Sequence, residues 1–558
     1  MLLVDIIQES DQIVHTVIKE KPSKREYCVT FSYGRNTVNE RSQMWHDLSC
    51  LSFPVAPWLL AGDFNSVFEF DDRRGGRPVT SAELIDAQRW RGQGLADELG
   101  SIGSQYTWTN NQTDGARIYS KLDRIFKNEE WIDLFPASVA VKQWDILSDH
   151  CYCIIKVFQE VITGFKPFRF YNMWVDHNRF KTTVLQSWQK PVAVGGFAGV
   201  LMKLKRLSHV LRRFNKSEFG DVERNFQMAK ELYNQAQVNL QQDPFSLEFQ
   251  TEEKLALESL VQSSRFYDSF FRQKSKVNWL KFGDDNTTYF HACLKQRKEI
   301  NRIASYVSDN GQLVESYEEV VDHFLHHFRS VLGSQSKASG SIHMDCFVHG
   351  NILSLEHQLA LVKPFTKKDV RNAMFSIGTI KSPGPDGYGS GYFKALWNEI
   401  GDDVSEAVLG FFQQGIIPKN LNNALLSLIP KIANPTKAVD YRPIACCNTL
   451  YKCISKMMCE RLKGVLPLLV HQNQGAFIKD RLLAHNILIF QDILKGYKRK
   501  HISPRCVMKV DLSKAYDSID WHCLEEILTG FCFPKQFINW VMVCLRDASY
   551  SILINGRV

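Results

Sequence analysis

The sequence predicts a multidomain chain that joins an α/β part to an α+β part, and three observations carry that expectation. Residues 1–160 alternate apolar, strand-like runs with turn signals, as the layers of an α/β sandwich do. After Gly164 the pattern changes to helical periodicity with long charged runs, which predicts a mostly helical connector over 161–345. From residue 346 to Val558 helix and strand patterns are mixed. A chain of 558 residues with 44% hydrophobic composition can bury more than one core.

Taken in order, the first region carries three polar sequences, each at the end of an apolar run. Trp58-Leu59-Leu60-Ala61 reads as a buried strand that ends in Gly62-Asp63-Phe64-Asn65, a loop with an acid and an amide. Ser120-Lys121-Leu122-Asp123-Arg124 follows, and a later apolar segment ends in Leu147-Ser148-Asp149-His150. Alone, Gly-Asp-Phe-Asn is usually a turn with an Asx cap, and Ser-Asp-His is commonly a helix N-cap. The ordered set, all at ends of apolar runs, favours function.

The connector carries Phe168-Arg169-Phe170-Tyr171-Asn172-Met173-Trp174 and a second cluster running to Gly283–His291. His291 has no partner at ligand spacing and reads as part of a capped helix start. Residues 333–345, rich in Gly, Ser and Ala, read as a flexible linker. Beyond it, Lys381-Ser382-Pro383-Gly384-Pro385-Asp386-Gly387 is a rigid turn cluster, and Leu428-Ile429-Pro430-Lys431 ends an apolar run. Tyr441-Arg442-Pro443-Ile444 and Asn473-Gln474-Gly475-Ala476-Phe477 come next. Cys506 to Val510 is an apolar, strand-like run that delivers Asp511 to its end, and a turn then presents Ala515, Tyr516 and Asp517. Two-metal nucleotidyl transfer needs a carboxylate held rigidly at a strand end, beside a bound triphosphate.

The net charge of +8, from 68 Lys+Arg against 60 Asp+Glu, is a mild excess that fits contact with nucleic acid. Three basic segments stand out: Lys203–Lys216, Arg272–Lys281 and Lys495–Lys500. Each reads equally well as a solvated helix face. The 14 cysteines have no paired zinc-type spacing, so free thiols in a reducing compartment, nucleus or cytoplasm, are expected. No apolar stretch approaches the ~20 residues of a membrane-spanning helix, and the first residues are too short for a signal peptide.

The motifs from Lys381 to Trp521, in this order and spacing, resemble the fingers and early palm of reverse transcriptases of LINE-type (non-LTR) retrotransposons, in their plant-type form. The motifs around Asp63, Asp123 and His150 resemble the endonuclease/exonuclease/phosphatase fold of LINE endonucleases. The resemblance implies a partial endonuclease/exonuclease/phosphatase-like domain over 1–160, the connector over 161–345, and part of a reverse transcriptase domain over 346–558. It implies His150 as general base and Asp123 as its orienting carboxylate. Asp63 and Asn65 would handle the nucleophile and scissile phosphate, Asp149 would assist the metal or leaving group, and Tyr33 and Asn36 would contact phosphate. In the polymerase part it implies Asp511 as a metal ligand, Lys431 and Arg442 at the nucleotide's phosphates, and Tyr516 under its sugar. Mg²⁺, or Mn²⁺ in its place, is the implied cofactor. The implied partners are an RNA template, a DNA target and deoxynucleotides, with no membrane and no obligate protein partner. The family's metal-binding Glu and its Tyr/Phe-x-Asp-Asp hairpin have no counterpart here, and Asp517 points elsewhere in that family. The chain is therefore expected to be truncated at both ends and to show little nicking or DNA synthesis alone. The alternative is a non-catalytic, nucleic-acid-binding remnant of a degenerate retroelement.

Overall fold

The computed structural model describes residues 2–21, 25–51, 56–93, 96–113, 115–135, 138–145, 147–157, 167–276, 296–297, 300–303, 305–308, 310–314, 316–333, 340–348, 350–432, 435–478, 480–495, 497, 506–511 and 519–557. Tyr516, Asp517, the basic triplet Lys498 to Lys500, the connector segment with His291, and residues 334–339 of the expected linker lie outside them. The chain forms two compact units. The first comprises Met1–Gly164 with Gln296–Phe324 and Ile429–Arg442, and the second Phe165–Lys295 with Leu325–Leu428 and Pro443–Val558.

The first unit is an α/β sandwich. Its main sheet is built from β1 (Leu2–Glu9), β2 (Ile13–Glu20), β3 (Arg25–Tyr33), β4 (Trp58–Asp63), β10 (Asp123–Lys127) and β6 (Asp97–Glu98), in the spatial order β1-β2-β3-β4-β10-β6. The pair β3 and β4 is parallel, with α1 (Val38–Cys50) in the crossover between them, and the other pairs are antiparallel. A second sheet has the order β12-β11-β7 from Cys151–Lys156, Val139–Trp144 and Ser101–Gly103. A small ribbon has the order β5-β9-β8 from Arg73–Arg74, Tyr119–Ser120 and Trp108–Thr109. A two-stranded hairpin, β13 (Tyr306–Val307) with β14 (Leu313–Val314), completes its strands.

The layering follows from period-two alternation, since successive strand side chains point to opposite faces. Cys28, Trp58, Leu60 and Phe126 face α1 and α2 (Ser81–Arg91) and pack with Met44, Trp45, Leu48, Ala87 and Trp90. Their neighbours Val29, Leu59 and Ile125 turn the other way and pack with Trp131 and Phe135, at the helix Glu129–Leu134, and with Ala140 of β11. A continuously apolar strand such as β4 is what a sheet covered on both faces requires. At the edge of β10, Arg124 is nearly inaccessible, paired with both Asp72 and Glu98 and lying 4.4 Å over the Phe68 ring.

The second unit shows what the connector does. The helices Phe180–Trp188, Gly196–Phe214, Val222–Gln242 and Leu247–Ser275 confirm the expected helical periodicity, the last two forming an antiparallel hairpin across a short turn. They are not a spacer. Phe168, Phe170, Trp174, Leu204 and Leu211 belong to one hydrophobic core with Tyr388, Tyr392, Val404, Phe411, Ile454 and Trp540. The Lys381–Gly387 turn cluster is pinned into that core from both sides. The Gly387 carbonyl accepts from Phe170 N–H (2.9 Å), and Asn448 Oδ1 accepts from Asp386 N–H (3.2 Å). Gly387 has φ +78, and a β-carbon there would strike the Phe168 backbone, while one at Gly384 would strike Asn448. Only glycine fits at either position. A three-stranded sheet has β15 (Asn423–Pro430) between β16 (Tyr441–Cys447) and β17 (Ser549–Leu553), the β15–β17 pair being parallel.

One sequence expectation fails here. Cys506–Asp511 does not form a strand: the segment has no ladder partner among the described residues, and Val507, Met508 and Val510 are 47%, 80% and 71% exposed. Alternating apolar residues make a strand only where a neighbouring strand satisfies the backbone and a packed face accepts the side chains. This run has neither.

Candidate active site

The ends of three strands line up at one edge of the main sheet. Tyr33 at the end of β3 is in register with Asp63 at the end of β4, and Asp63 is in register with Asp123 at the start of β10. Residues 60 positions apart in sequence therefore face one another because the ladder places them there. The close approach of β3 and β4 requires Gly62, since a β-carbon on it would collide with the Ser32 carbonyl. Asn65 takes φ +46, a left-handed conformation that asparagine tolerates better than most residues. Its N–H donates to Asp63 Oδ1 (2.8 Å) and its Nδ2 to the Gly34 carbonyl (2.7 Å). These bonds tie the Asp63 loop to the Tyr33–Asn36 loop, whose Asn36 carbonyl accepts from Arg41 (2.8 Å).

His150 arrives from the second sheet, directly before β12, and bridges Trp108 of the ribbon. Its Nδ1 lies 2.9 Å from Asp123 Oδ2. Because the carboxylate only accepts, Nδ1 carries the proton, and Nε2 is left with its lone pair directed to the site. Nε2 is 4.0 Å from Asp63 Oδ2, and the side chains of His150, Asp63 and Asp123 are 30%, 12% and 22% exposed. Asp149 accepts from Trp108 Nε1 (3.0 Å) through one carboxylate oxygen. Tyr33 and Asn36 sit exposed at the rim.

The electrostatics separate the roles. Burial, reinforced by the nearby Asp123 charge, pushes the Asp63 carboxyl up to about 6 against the pull of the Asn65 N–H and His150. Burial also disfavours the charged form of His150, but the Asp123 hydrogen bond and the charges of Asp123, Asp63 and Asp149 outweigh it and hold the imidazole above its ordinary value. Asp63, Asp123 and His150 each offer a ligand atom, all within 4.8 Å of one another. Asp149 is not one of that group, and the oxygens of Asp63 and Asp123 are donors of the kind a hard divalent cation takes.

Two contributors escaped sequence reasoning. Thr107 Oγ1 accepts from the N–H groups of Leu122 and Asp123 (both 2.9 Å) and so fixes the start of β10. Trp108 holds Asp149. Both lie in a short alternating run with no motif to mark it.

Lys431 and Arg442, expected at a nucleotide's phosphates, belong to the first unit; Lys431 follows β15 directly, with its N–H bonded to the Asp440 carbonyl (2.7 Å) and its ammonium to the Val439 carbonyl (2.6 Å). Arg442 is exposed near the start of β16. Asp511 belongs to the second unit, where it is exposed and lies outside any regular element. Among the described residues no helix is long and apolar enough to cross a membrane.

Residues 429–557 match the family described as reverse transcriptase (RNA-dependent DNA polymerase). The transposon TX1 uncharacterized 149 kDa protein of Xenopus laevis is 23% identical over 562 residues, covering 98% of this chain and 42% of its own length. The retrovirus-related Pol polyprotein from type-2 retrotransposable element R2DM of Drosophila melanogaster is 24% identical over 208 residues, covering 37% of this chain and 19% of its own. The chain thus spans less than half the length of either relative. The endonuclease domain of TRAS1, a telomere-specific non-LTR retrotransposon, aligns with TM-score 0.22 and 17% identity over 28% of this chain and 70% of its own. The resemblance to LINE-type retrotransposon proteins is borne out by the polymerase family match and the two sequence relatives.

Proposed function

We propose that this relative of LINE-type retrotransposon proteins joins a DNA-nicking hydrolase to an RNA-directed DNA polymerase, the pair that target-primed reverse transcription uses. The observation that carries the nuclease half is the Asp63–Asp123–His150 constellation at the aligned strand ends. His150 Nε2 takes a proton from water, and Asp123 keeps the proton on Nδ1 and steadies the imidazolium that forms. Asp63, kept partly protonated by burial, and the Asn65 loop orient that water and the phosphate, and Tyr33 and Asn36 receive the adjoining phosphates at the rim.

The carboxylates fit a hard divalent cation, Mg²⁺ or Mn²⁺, with Asp149 as the nuclease ligand and Asp511 as the polymerase ligand. Such a cation, when bound, neutralises charge on the reacting phosphate. In the polymerase half, Lys431 and Arg442 supply fixed cations for a deoxynucleoside triphosphate, and Tyr516 is the residue proposed to exclude a ribose hydroxyl. An RNA template and a DNA target are the proposed substrates.

Incubation with supercoiled plasmid tests the nuclease reading. Slow conversion to the nicked circle is expected with Mg²⁺, stopped by a chelator and reduced about 100-fold in Asp63→Asn, the scale of misplacing a reacting group by about 1 Å. Nicking that survives chelation or that substitution would remove the assignment. For the polymerase half, Arg442→Ala is expected to weaken binding of a deoxynucleoside triphosphate several-fold. Unchanged binding would take Arg442 out of the site.

A further inference from the structure

The connector's long helix, Leu247–Ser275, ends on a cavity of ≈ 1350 Å³ within the second unit. Its wall carries cations from three elements: Arg272 and Lys276 at the end of that helix, Lys381 in the Ser-Pro-Gly-Pro turn, and Lys452 and Lys456 on the helix Thr449–Leu469. Among the described residues no aspartate or glutamate lines it. Cys446 and Cys447, at the end of β16, and Cys459, on the helix Thr449–Leu469, share the same wall, and none of them is in a disulfide. The thiolate is the form of cysteine that attacks a disulfide, and neighbouring cations stabilise it. The three thiols are not equivalent. Burial pushes the Cys447 thiol up, and Lys452 opposes this without cancelling it. Cys459 is exposed, and Glu460 next to it brings a carboxylate 2.6 Å from Lys463 and 3.9 Å from Lys456. Cys446 is half-buried and has no acid beside it in sequence. Burial lowers the Lys452 ammonium, and of the neighbouring charges that oppose this the Cys446 thiolate comes first. Lys452 is held at the wall by its bond to the Ser382 carbonyl (2.6 Å), and Lys276 bonds the Ser382 hydroxyl.

We propose that Cys446 is a site of reversible modification by an anionic peptide disulfide, glutathione disulfide, which the surrounding cations draw into the cavity. The step is a thiol–disulfide exchange. The Cys446 thiol gives its proton to solvent, and the thiolate attacks one sulfur of the entering disulfide. The bond between the two glutathione sulfurs breaks as a new one forms to Cys446 Sγ. The second glutathione leaves as a thiolate and takes up a proton. The entering disulfide is itself the oxidant, so no other is required. Glutathione is the thiol that keeps cysteines reduced in compartments where protein disulfides are rare, and its disulfide carries more carboxylates than ammonium groups. The cavity is larger than the roughly 300–1,000 Å³ of ordinary small-molecule sites, which leaves room for a tripeptide on Cys446. Its carboxylates then meet lysine ammonium groups, whose hydrogen bonds to them are charge-assisted. Folding the connector into the same core as the turn has a consequence here. It adds Arg272 and Lys276 to the cations facing Cys446, which the turn and the helix Thr449–Leu469 alone would not supply.

The test incubates the full chain with excess glutathione disulfide near neutral pH and maps the mixed disulfides over time by peptide mass spectrometry. Cys346 and Cys506, exposed thiols outside the cavity, are internal references. Cys446 is expected to react at least about tenfold faster than either, the low end of what a focused charge adds to an encounter. With cystamine, a cationic disulfide, that preference should vanish. Changing Lys381 and Lys456 together to Glu should slow the reaction of Cys446 with glutathione disulfide about tenfold and leave Cys506 unchanged. Cys446→Ser should remove the cavity adduct and Cys459→Ser should keep it, and dithiothreitol should release it. The first two comparisons use the wild-type chain, so they decide the matter even where a variant fails to fold. Labelling of Cys446 no faster than of Cys346 and Cys506, an adduct on Cys459 in its place, or cystamine reacting at Cys446 as fast as glutathione disulfide would overturn the proposal.

Discussion

Asp63 is the residue at which stability and chemistry pull in opposite directions. Its carboxyl titrates near 6 in the folded chain, against an ordinary value of about 4 in the unfolded one. The folded state therefore holds the proton more tightly. The stability this confers is fully present below about pH 4 and is lost as pH rises through about 6. Above that, the buried charge costs on the order of 1–3 kcal/mol. Asp63→Asn is expected to melt higher than wild type at pH 7.5, with the difference vanishing toward pH 4, as measured by calorimetry across pH. A constant difference at all pH values would mean that Asp63 titrates normally. His150 yields a second expectation. Its raised value delays the neutral imidazole, so nicking should rise with pH through that value. Asp123→Asn removes the main raising contact and should shift the rise to lower pH while lowering the plateau. A profile that keeps its midpoint would separate His150 from Asp123.

At the scale of elements, the strands hold the site only because their buried partners hold them. Arg124 follows Asp123 on β10, and its guanidinium joins Asp72 and Glu98 in a nearly dry environment. Arg124→Met is expected to cost about 3–5 kcal/mol in denaturant unfolding of the first unit, because it strands Asp72 without its cation. Adding Asp72→Asn should recover part of that loss. The turn cluster is under a different constraint. Gly387→Ala must place a β-carbon against the Phe168 backbone at positive φ, and about 1–3 kcal/mol of destabilisation is expected in the second unit. Nicking at 20 °C should be unaffected.

The same elements show what the sequence made legible. Asp63, Asp123 and His150 were legible because each lies at the boundary of an apolar run, Asp63 at the end of β4, Asp123 at the start of β10 and His150 just before β12, and strand pairing brings such boundaries together. The glycines of the turn cluster were legible as a rigid turn, though not as the surface on which Phe168 and Phe170 seat. Thr107, Trp108 and Arg124 were not legible, since their importance comes from partners far away in sequence, and a short alternating run does not reveal those. The strand expected at Cys506–Asp511 fails for the converse reason. Its pattern is right, but a strand is a property of a pair, and none of the described residues pairs with it.

For the whole molecule, the nuclease reading has the fuller support, since Asp63, Asp123 and His150 each offer a ligand atom and all lie within 4.8 Å of one another. Its central claim is that His150 Nε2 is the base that takes the proton from the attacking water. The most direct measurement is plasmid nicking by His150→Ala, with and without added imidazole, at a pH where free imidazole is neutral. The expected result is a loss of about 10²–10⁴-fold relative to wild type, partly restored by imidazole in proportion to its concentration, with no such response in wild type. Nicking by His150→Ala at the wild-type rate, or a loss that imidazole leaves untouched in a correctly folded variant, would contradict it.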